Sequence, residues 1–109
     1  MKVVWSPLAL KRAQDISANI AMDKPSAAKE WIHGLFKAVA RLDRYPESGR
    51  IVPEVQRTDV RELVYNAYRV IYRMGNEISV LTVIHGRQQL EAAVTGGSFG
   101  EEPEGYRKD

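Results

Sequence analysis

The sequence predicts an α+β domain in which a two-helix hairpin packs on one face of a mostly antiparallel sheet. Apolar residues recur at helical spacing through the first half of the chain, and three β-prone runs with very short links follow in the second half. The length of 109 residues is that of one domain. We therefore expect one hydrophobic core between the helices and the sheet.

The first half of the chain is predicted to form a short strand and two helices. Val3-Val4-Trp5 is β-prone, and Ser6-Pro7 is a helix start, because serine caps the free N–H groups and proline suits the first turn. The first helix is expected to end near Asp23-Lys24-Pro25. Ser26 is predicted to cap the second helix, which stops at Tyr45-Pro46. The short link makes the pair an antiparallel hairpin.

The second half is predicted to complete the sheet. Residues 46–59 contain turn formers without helical spacing and are expected to form a surface loop. Three runs separated by two or three residues, Val60–Tyr65, Tyr68–Met74 and Ile78–His85, predict an antiparallel meander. The third run is nearly all apolar, which indicates a central strand covered on both faces.

The C-terminus is predicted to add a short helix over Gln88–Val94. Thr95-Gly96-Gly97 and the charged remainder are typical of a terminal tail. The predicted organisation is therefore a domain over residues 1–95 and a flexible charged tail over residues 96–109.

Composition excludes several classes of protein. Apolar residues make up 44% and charged residues 28%, unlike a disordered chain. The absence of cysteine excludes disulfides and thiolate chemistry, and with only two histidines a zinc site is not expected. Neither a signal peptide nor a membrane-spanning stretch is present, so we expect a cytoplasmic protein with no membrane partner. No motif indicates a cofactor or a metal.

Arginines on the predicted strands form the candidate functional site. Alternate residues of a strand face the same side, so Arg69 and Arg73 share a face, as do His85 and Arg87. If these faces coincide, one concave wall would carry Arg61, Arg69, His85 and Arg87, with Arg50 and Glu54 at its rim. Such a wall would bind phosphate and stabilise added negative charge.

Each of these residues also has a structural interpretation. A strand arginine can simply be solvated or paired with an acid, and Arg69 would be structural if it neutralised a buried Glu62 or Glu54. His85 can equally be a structural hydrogen-bonding residue. Tyr72 is expected in sheet packing, although on an open face a tyrosine could stack on a base.

Five motifs in order resemble those of a known superfamily. They are Trp5-Ser6-Pro7, residues 46–54 (Pro-Glu-Ser-Gly-Arg-Ile-Val-Pro-Glu), Arg61-Glu62-Leu63, Tyr68-Arg69-Val70-Ile71-Tyr72-Arg73 and Val83-Ile84-His85-Gly86-Arg87. Together they resemble the ParE/RelE superfamily of plasmid-stabilisation toxins over residues 1–90, closer to the ParE-like branch. The resemblance implies a toxin that halts bacterial growth and is silenced by a cognate antitoxin, which wraps the helical hairpin and sheet in a toxin–antitoxin hetero-oligomer.

The resemblance leaves two cellular targets. One branch of the superfamily consists of ribosome-dependent endoribonucleases that cut mRNA, and the ParE branch poisons DNA gyrase. Arg69 falls on the arginine of the Tyr-Arg strand motif, which contacts RNA phosphate in the ribonucleases. His85-Gly86-Arg87 falls on a motif common in the ParE-like branch.

Departures from the nuclease pattern favour the gyrase-directed interpretation. That pattern has lysines on the strand where this chain has Val60 and Glu62, and an arginine where it has Gln88. RNA cleavage also needs a general base, and neither Glu54 nor His85 has an orienting partner evident from the sequence. The alternatives are a RelE-like ribosome-dependent mRNA endoribonuclease and a non-toxic nucleic-acid-binding or adaptor module.

The candidate site residues form two groups. The candidate catalytic residues are Arg69, His85, Arg87 and Glu54. The candidate target-binding residues are Arg50, Arg61, Arg73 and Tyr72.

Overall fold

The computed structural model describes residues 1–88 and residue 90 as two helices and five strands. In chain order the elements are β1 (Val3–Trp5), α1 (Pro7–Asp23), α2 (Pro25–Ala40), a 3-10 turn (Arg41–Asp43), β2 (Arg50–Ile51), β3 (Val60–Tyr65), β4 (Tyr68–Met74) and β5 (Ile78–His85). The α+β class, the helical hairpin and the three strands of the meander are confirmed.

The five strands form one mixed sheet in the order β1-β5-β4-β3-β2. β1 runs parallel to β5, and every other neighbouring pair is antiparallel. The prediction that residues 46–59 form only a loop is wrong at Arg50–Ile51, which pair with Glu62 and Arg61 of β3. Two residues are too few to show the alternating pattern by which strands are recognised in a sequence.

Ser6 begins α1 as predicted, whereas Ser26 does not begin α2. The Ser6 hydroxyl accepts a hydrogen bond from the Ala9 N–H and donates one to the Leu81 carbonyl, each at 3.0 Å. At the second helix the predicted cap is wrong by two residues. Pro25 is already helical, Lys24 is the capping residue, and no side chain caps this end. Proline's fixed φ suits a first helical residue, so the helix starts without a serine cap.

Two apolar clusters lie on opposite faces of the sheet. The larger one, between the helices and the sheet, consists of Ala9, Ala13, Trp31, Leu35, Val39, Leu42, Val70, Tyr72, Ile78, Val80 and Val83. The smaller one consists of Val52, Val60, Ile71, Leu81, Ile84 and Leu90. Because both clusters draw on β5, this strand is buried on both faces, as its apolar sequence predicted. The sheet is therefore covered by helices on one face and by loop segments on the other.

The predicted C-terminal features are largely beyond what the structure describes. Gln88 and Leu90 lie in no helix, and the rest of the helix predicted over Gln88–Val94 falls outside the described residues. The domain boundary at residue 95 and the tail over residues 96–109 fall outside them as well. Within residues 1–88 and 90, no helix is long and apolar enough to cross a membrane.

Candidate functional site

Four charged residues meet on the sheet face that carries the smaller apolar cluster. This charge cluster consists of Arg50, Glu54, Glu62 and Arg69. β2 places Arg50 directly opposite Glu62 of β3, and β4 places Arg69 opposite Val64, two positions along from Glu62 on the same face. Glu54 enters from the turn after β2, where Val52 accepts backbone hydrogen bonds from the N–H groups of residues 55 and 56.

The Arg69 guanidinium lies between two carboxylates. Its Nε donates to Glu62 at 2.7 Å, and its Nη1 and Nη2 donate to the two Glu54 oxygens at 2.9 and 2.7 Å. Nη1 also donates to the Gln88 carbonyl at 3.1 Å, and Nη2 lies 2.6 Å from Glu62. Glu62 is shared, because its second oxygen accepts from Arg50 Nε. Two cations and two anions therefore satisfy each other.

Burial makes this arrangement structural in character. Arg69 is 6% exposed and Glu62 is 1% exposed. A buried ion is tolerated only when its charge and hydrogen bonds are compensated, so withdrawing Arg69 to bind an external phosphate would leave Glu62 and Glu54 short of a partner. The structural interpretation of Arg69 is the one that this geometry supports.

The charge cluster also fixes the protonation of its members. The hydrogen bonds from Arg69 lower the pKa of Glu54 from 4.5 to about 2, against the opposing effect of burial. The same contacts, led by Glu54, raise the pKa of Arg69. A carboxylate with so low a pKa is a weak base near neutral pH, which argues against Glu54 as a general base.

The predicted wall of Arg61, Arg69, His85 and Arg87 is wrong as a single strand face. Arg69 pairs in register with Val64 and Ile84, whereas Arg61 pairs with Tyr72, and His85 with Tyr68. Register partners share a face, so Arg61 and His85 lie on the side opposite Arg69. The sequence supplied the alternation within each strand but not the register between strands.

Arg61 instead binds the loop that leads into β2 and, through Thr58, the turn before β3. Its guanidinium donates to the carbonyls of Thr58, Glu47 and Gly49 at 2.9, 3.2 and 3.0 Å. Tyr72 serves the same loop, accepting from the Gly49 N–H at 2.9 Å and donating to the Pro46 carbonyl at 2.7 Å. Tyr72 is fully buried, as expected for sheet packing, so it has no open face on which a base could stack, and its placement among the target-binding residues is wrong.

At the ends of β3, β4 and β5, side chains from both faces of the sheet line one pocket. A concavity of about 440 Å³ opens beside the β3–β4 turn and the end of β5, and we call it the hairpin-end pocket. Its lining includes Arg50, Val64, Asn66, Arg69, His85 and Arg87. Arg69, His85 and Arg87 therefore share a pocket, although they do not share the single strand face that the alternation of side chains predicted. Arg73 is paired with Val60 and Ser79 toward the other end of the sheet and does not line it.

His85 is held at the pocket by two contacts. Its ring packs edge-on against Tyr68 with centroids 5.5 Å apart, and its Nδ1 accepts a hydrogen bond from the Arg87 N–H at 3.2 Å. With Nδ1 accepting, the neutral imidazole carries its proton on Nε2. The Arg87 side chain is exposed and makes no hydrogen bond or ion pair with the described part of the chain.

Glu62 is the site residue that sequence reasoning underused. The sequence indicates it as a possible partner of Arg69 but not as a site residue, yet it joins both arginines of the charge cluster. The available signal was its position between Val60 and Val64 on one strand face, where an acid among apolar neighbours indicates a buried partner. Among the described residues, no three acidic, histidine or cysteine side chains come together to hold a metal ion.

Comparison with known proteins identifies the family. Residues 3–90 match the sequence model of the ParE toxin of the parDE type II toxin–antitoxin system. The chain is 34% identical over 88 residues to Y4kP, a candidate toxin of Sinorhizobium fredii, covering 81% of this chain and 91% of the relative. A solved chain of the chromosomal ParDE system of P. aeruginosa shares the fold, with a TM-score of 0.66 at 20% identity over 78% of this chain and 95% of that one. This chain therefore belongs to the ParE toxin family of type II toxin–antitoxin systems.

Proposed function

We propose that this toxin arrests bacterial growth from the cytoplasm by acting on DNA gyrase, without cutting RNA. The observation that carries the proposal is the burial of Arg69 between Glu54 and Glu62. In the superfamily's ribonucleases, as described above, the corresponding arginine contacts RNA phosphate. Here its donors are occupied by carboxylates of the same chain, so it has no free edge for a phosphate.

The candidate bases point to the same function. Cleavage by 2′-hydroxyl attack needs one group to accept that proton and another to protonate the leaving oxygen. Glu54 is held ionised by Arg69, with its pKa lowered to about 2, and its oxygens are engaged by that guanidinium. His85 is then the remaining candidate of the two. In the described residues no acid is hydrogen-bonded to its ring, since Nδ1 faces the Arg87 backbone.

The partner that controls this toxin is proposed to be a cognate antitoxin. The similar P. aeruginosa chain comes from a ParDE toxin–antitoxin system. Apolar side chains remain exposed on the helical hairpin of this chain, with Met22 at 84% and Phe36 at 39%. An antitoxin segment that orders on these helices would cover apolar area and neutralise the toxin.

Induction of this gene alone tests toxicity, and expression together with the neighbouring gene tests neutralisation. We expect growth arrest in the first case and restored growth in the second. Normal growth at high expression of folded protein would instead indicate a non-toxic nucleic-acid-binding or adaptor module. During arrest, gyrase–DNA cleaved complexes should accumulate while ribosome-associated transcripts stay intact.

Glu54→Gln separates gyrase poisoning from RNA cleavage. The amide cannot act as a general base, and its one oxygen can accept from Arg69 where two carboxylate oxygens did before, so we expect toxicity to persist in a folded variant of lower stability. Loss of toxicity with an unchanged melting temperature, or transcript cleavage by the purified toxin on ribosomes, would refute the proposed mode of action.

A further inference from the structure

The hairpin-end pocket presents hydrogen-bond donors that the charge cluster leaves unused. Arg50 uses its Nε for Glu62, while its two Nη groups make no hydrogen bond in the described chain, and its side chain is 66% exposed. Arg87 is exposed without a side-chain partner among residues 1–88 and 90. Because Nδ1 of His85 accepts from the Arg87 N–H, the ring's donor is Nε2. These three residues line the same pocket.

The two carboxylates beside the pocket are already engaged. Glu62 accepts from both Arg50 and Arg69, and both oxygens of Glu54 accept from Arg69. The charge cluster is therefore neutral as a unit, and Arg87 supplies one positive charge beyond it. A site with free donors, carboxylates that are already paired and one surplus cation is complementary to a single small oxyanion.

We propose that the hairpin-end pocket binds the carboxylate of an acidic side chain in a protein partner. The exposed arginines and His85 Nε2 would donate to the carboxylate, and Val64 would pack against an apolar residue beside it. Val64 is 55% exposed at the pocket, which is unusual for a valine in a strand of this small sheet. This proposal goes beyond the proposed action on gyrase. It concerns the chemical group that the pocket binds, and it does not depend on which target the toxin has.

Charge and shape favour a protein over a nucleic acid at this pocket. A nucleic-acid strand brings one negative charge per phosphate and is bound through several cations in succession. Here only one charge is unbalanced. Single-stranded binding also uses aromatic faces for base stacking. The aromatic ring at this pocket, Tyr68, instead packs edge-on against Trp31 and His85 at centroid distances of 5.3 and 5.5 Å.

Fluorescence anisotropy with the purified full-length toxin tests this site. The probes are a labelled, capped Glu-Leu-Glu-Glu peptide, its Gln-Leu-Gln-Gln counterpart and a short single-stranded RNA. We expect the acidic peptide to bind and the amide peptide to bind about tenfold more weakly, the size expected when a charged hydrogen bond is lost. Raising the salt concentration should weaken the binding of the acidic peptide, because this pocket is open to solvent and salt screens its charges.

Two arginine variants test whether the acidic peptide binds in the hairpin-end pocket. Arg87→Gln should reduce affinity for the acidic peptide about tenfold and leave the melting temperature unchanged, because this exposed side chain supports no other contact. Arg44→Gln is the matched control, since Arg44 is an exposed arginine outside the pocket. Its affinity should equal that of the unmodified toxin.

Three results would overturn the proposal. The first is equal or undetectable binding of the acidic and amide peptides. The second is an Arg87→Gln variant that folds and binds the acidic peptide as tightly as the control. The third is tighter binding of the RNA than of the acidic peptide, reduced by Arg87→Gln, which would assign the pocket to nucleic acid. Each outcome is measured on free toxin and does not depend on whether gyrase is poisoned.

Discussion

At Arg69, a residue type usually found on the surface has become part of the interior. Arg69 is 6% exposed, and its guanidinium bridges Glu54 and Glu62, which come from different segments of the chain. Arginine suits this position because its planar fork can donate to two carboxylates at once. A buried network of this kind is sensitive to the loss of any one member, since the remaining charge stays in place without a partner.

Arg69→Ala should therefore destabilise the fold more than it affects any contact with a target. Removing one partner of a buried ion pair costs about 3 to 5 kcal/mol. Arg73→Ala on the same strand is the control, because Arg73 makes no side-chain hydrogen bond or ion pair in the described chain, and we expect a change of about 0.5 kcal/mol or less. Urea denaturation of both variants measures the difference. Equal unfolding midpoints would show that the charge cluster does not support the fold.

The pH dependence of unfolding should report Glu54. Its pKa is lowered from 4.5 to about 2 in the folded chain, so the stabilisation is complete above pH 4.5 and is lost as the pH falls toward 2. We expect the urea midpoint to fall over this range, and Glu54→Gln to fall less steeply. If the urea midpoint depended on pH equally in the unmodified toxin and in Glu54→Gln, the pH dependence could not be assigned to Glu54.

The sequence indicates which charged residues belong to the charge cluster but does not predict which of them contact each other. Arg69 and its two possible acidic partners were all recognised from the pattern. What the pattern could not supply was the register between β3 and β4, which decides that Arg69 lies beside Glu62 and away from Arg61. The same register places His85 beside Tyr68, so that it reaches Arg69 only around the end of the strand.

Among the elements, β2 depends most on its surroundings. Two residues with exposed side chains have little tendency to form a strand alone, and Gly49 lets the segment approach the sheet. A Cβ on Gly49 would lie 2.6 Å from the Glu62 carbonyl oxygen and 2.6 Å from the Tyr72 hydroxyl. The strand thus exists because β3 and Tyr72 hold it, and a tertiary cause of this kind leaves no local pattern in the sequence. The three longer strands of the meander carry such a pattern, and their bounds were predicted correctly.

The starts of the two helices provide a matched test of capping. Ser6→Ala removes an acceptor for the Ala9 N–H and a donor to the Leu81 carbonyl in a buried position, so we expect a loss of about 1 to 2 kcal/mol. Ser26→Ala should change stability by about 0.5 kcal/mol or less, since Ser26 is exposed and caps nothing. Thermal melting of the two variants makes the comparison. A larger loss for Ser26→Ala would restore that serine as the cap of α2.

Over the whole molecule, coverage of the sheet is unequal. The helical hairpin shields one face, while the other is covered by a loop through Val52 and by Leu90 near the end of the described chain. Exposed apolar side chains, including Met22 and Ile51, occur on both the helical layer and the sheet edge. A domain of this size buries a smaller share of its surface than a larger one, so a partner that covers these side chains adds stability.

The purified complex with the antitoxin should melt at a higher temperature than the free toxin. A ligand that binds only the folded state stabilises it in proportion to the logarithm of its concentration over its Kd, and about 100-fold excess over Kd adds about 3 kcal/mol. Calorimetry at several antitoxin concentrations measures this shift. A melting temperature that is the same at every concentration would contradict binding to the folded toxin.

The parallel pairing of β1 with β5 affects when the protein becomes active after synthesis. The contacts around β1 join residues as far as 75 positions apart, as between Ser6 and Leu81. Translation proceeds from the N-terminus, so β1 leaves the ribosome long before β5 exists to receive it. Contacts between distant residues also form slowly, because a long loop must close first. The complete sheet is therefore a late product of translation, and the toxin fold is finished only after β5 has been synthesised and has received β1.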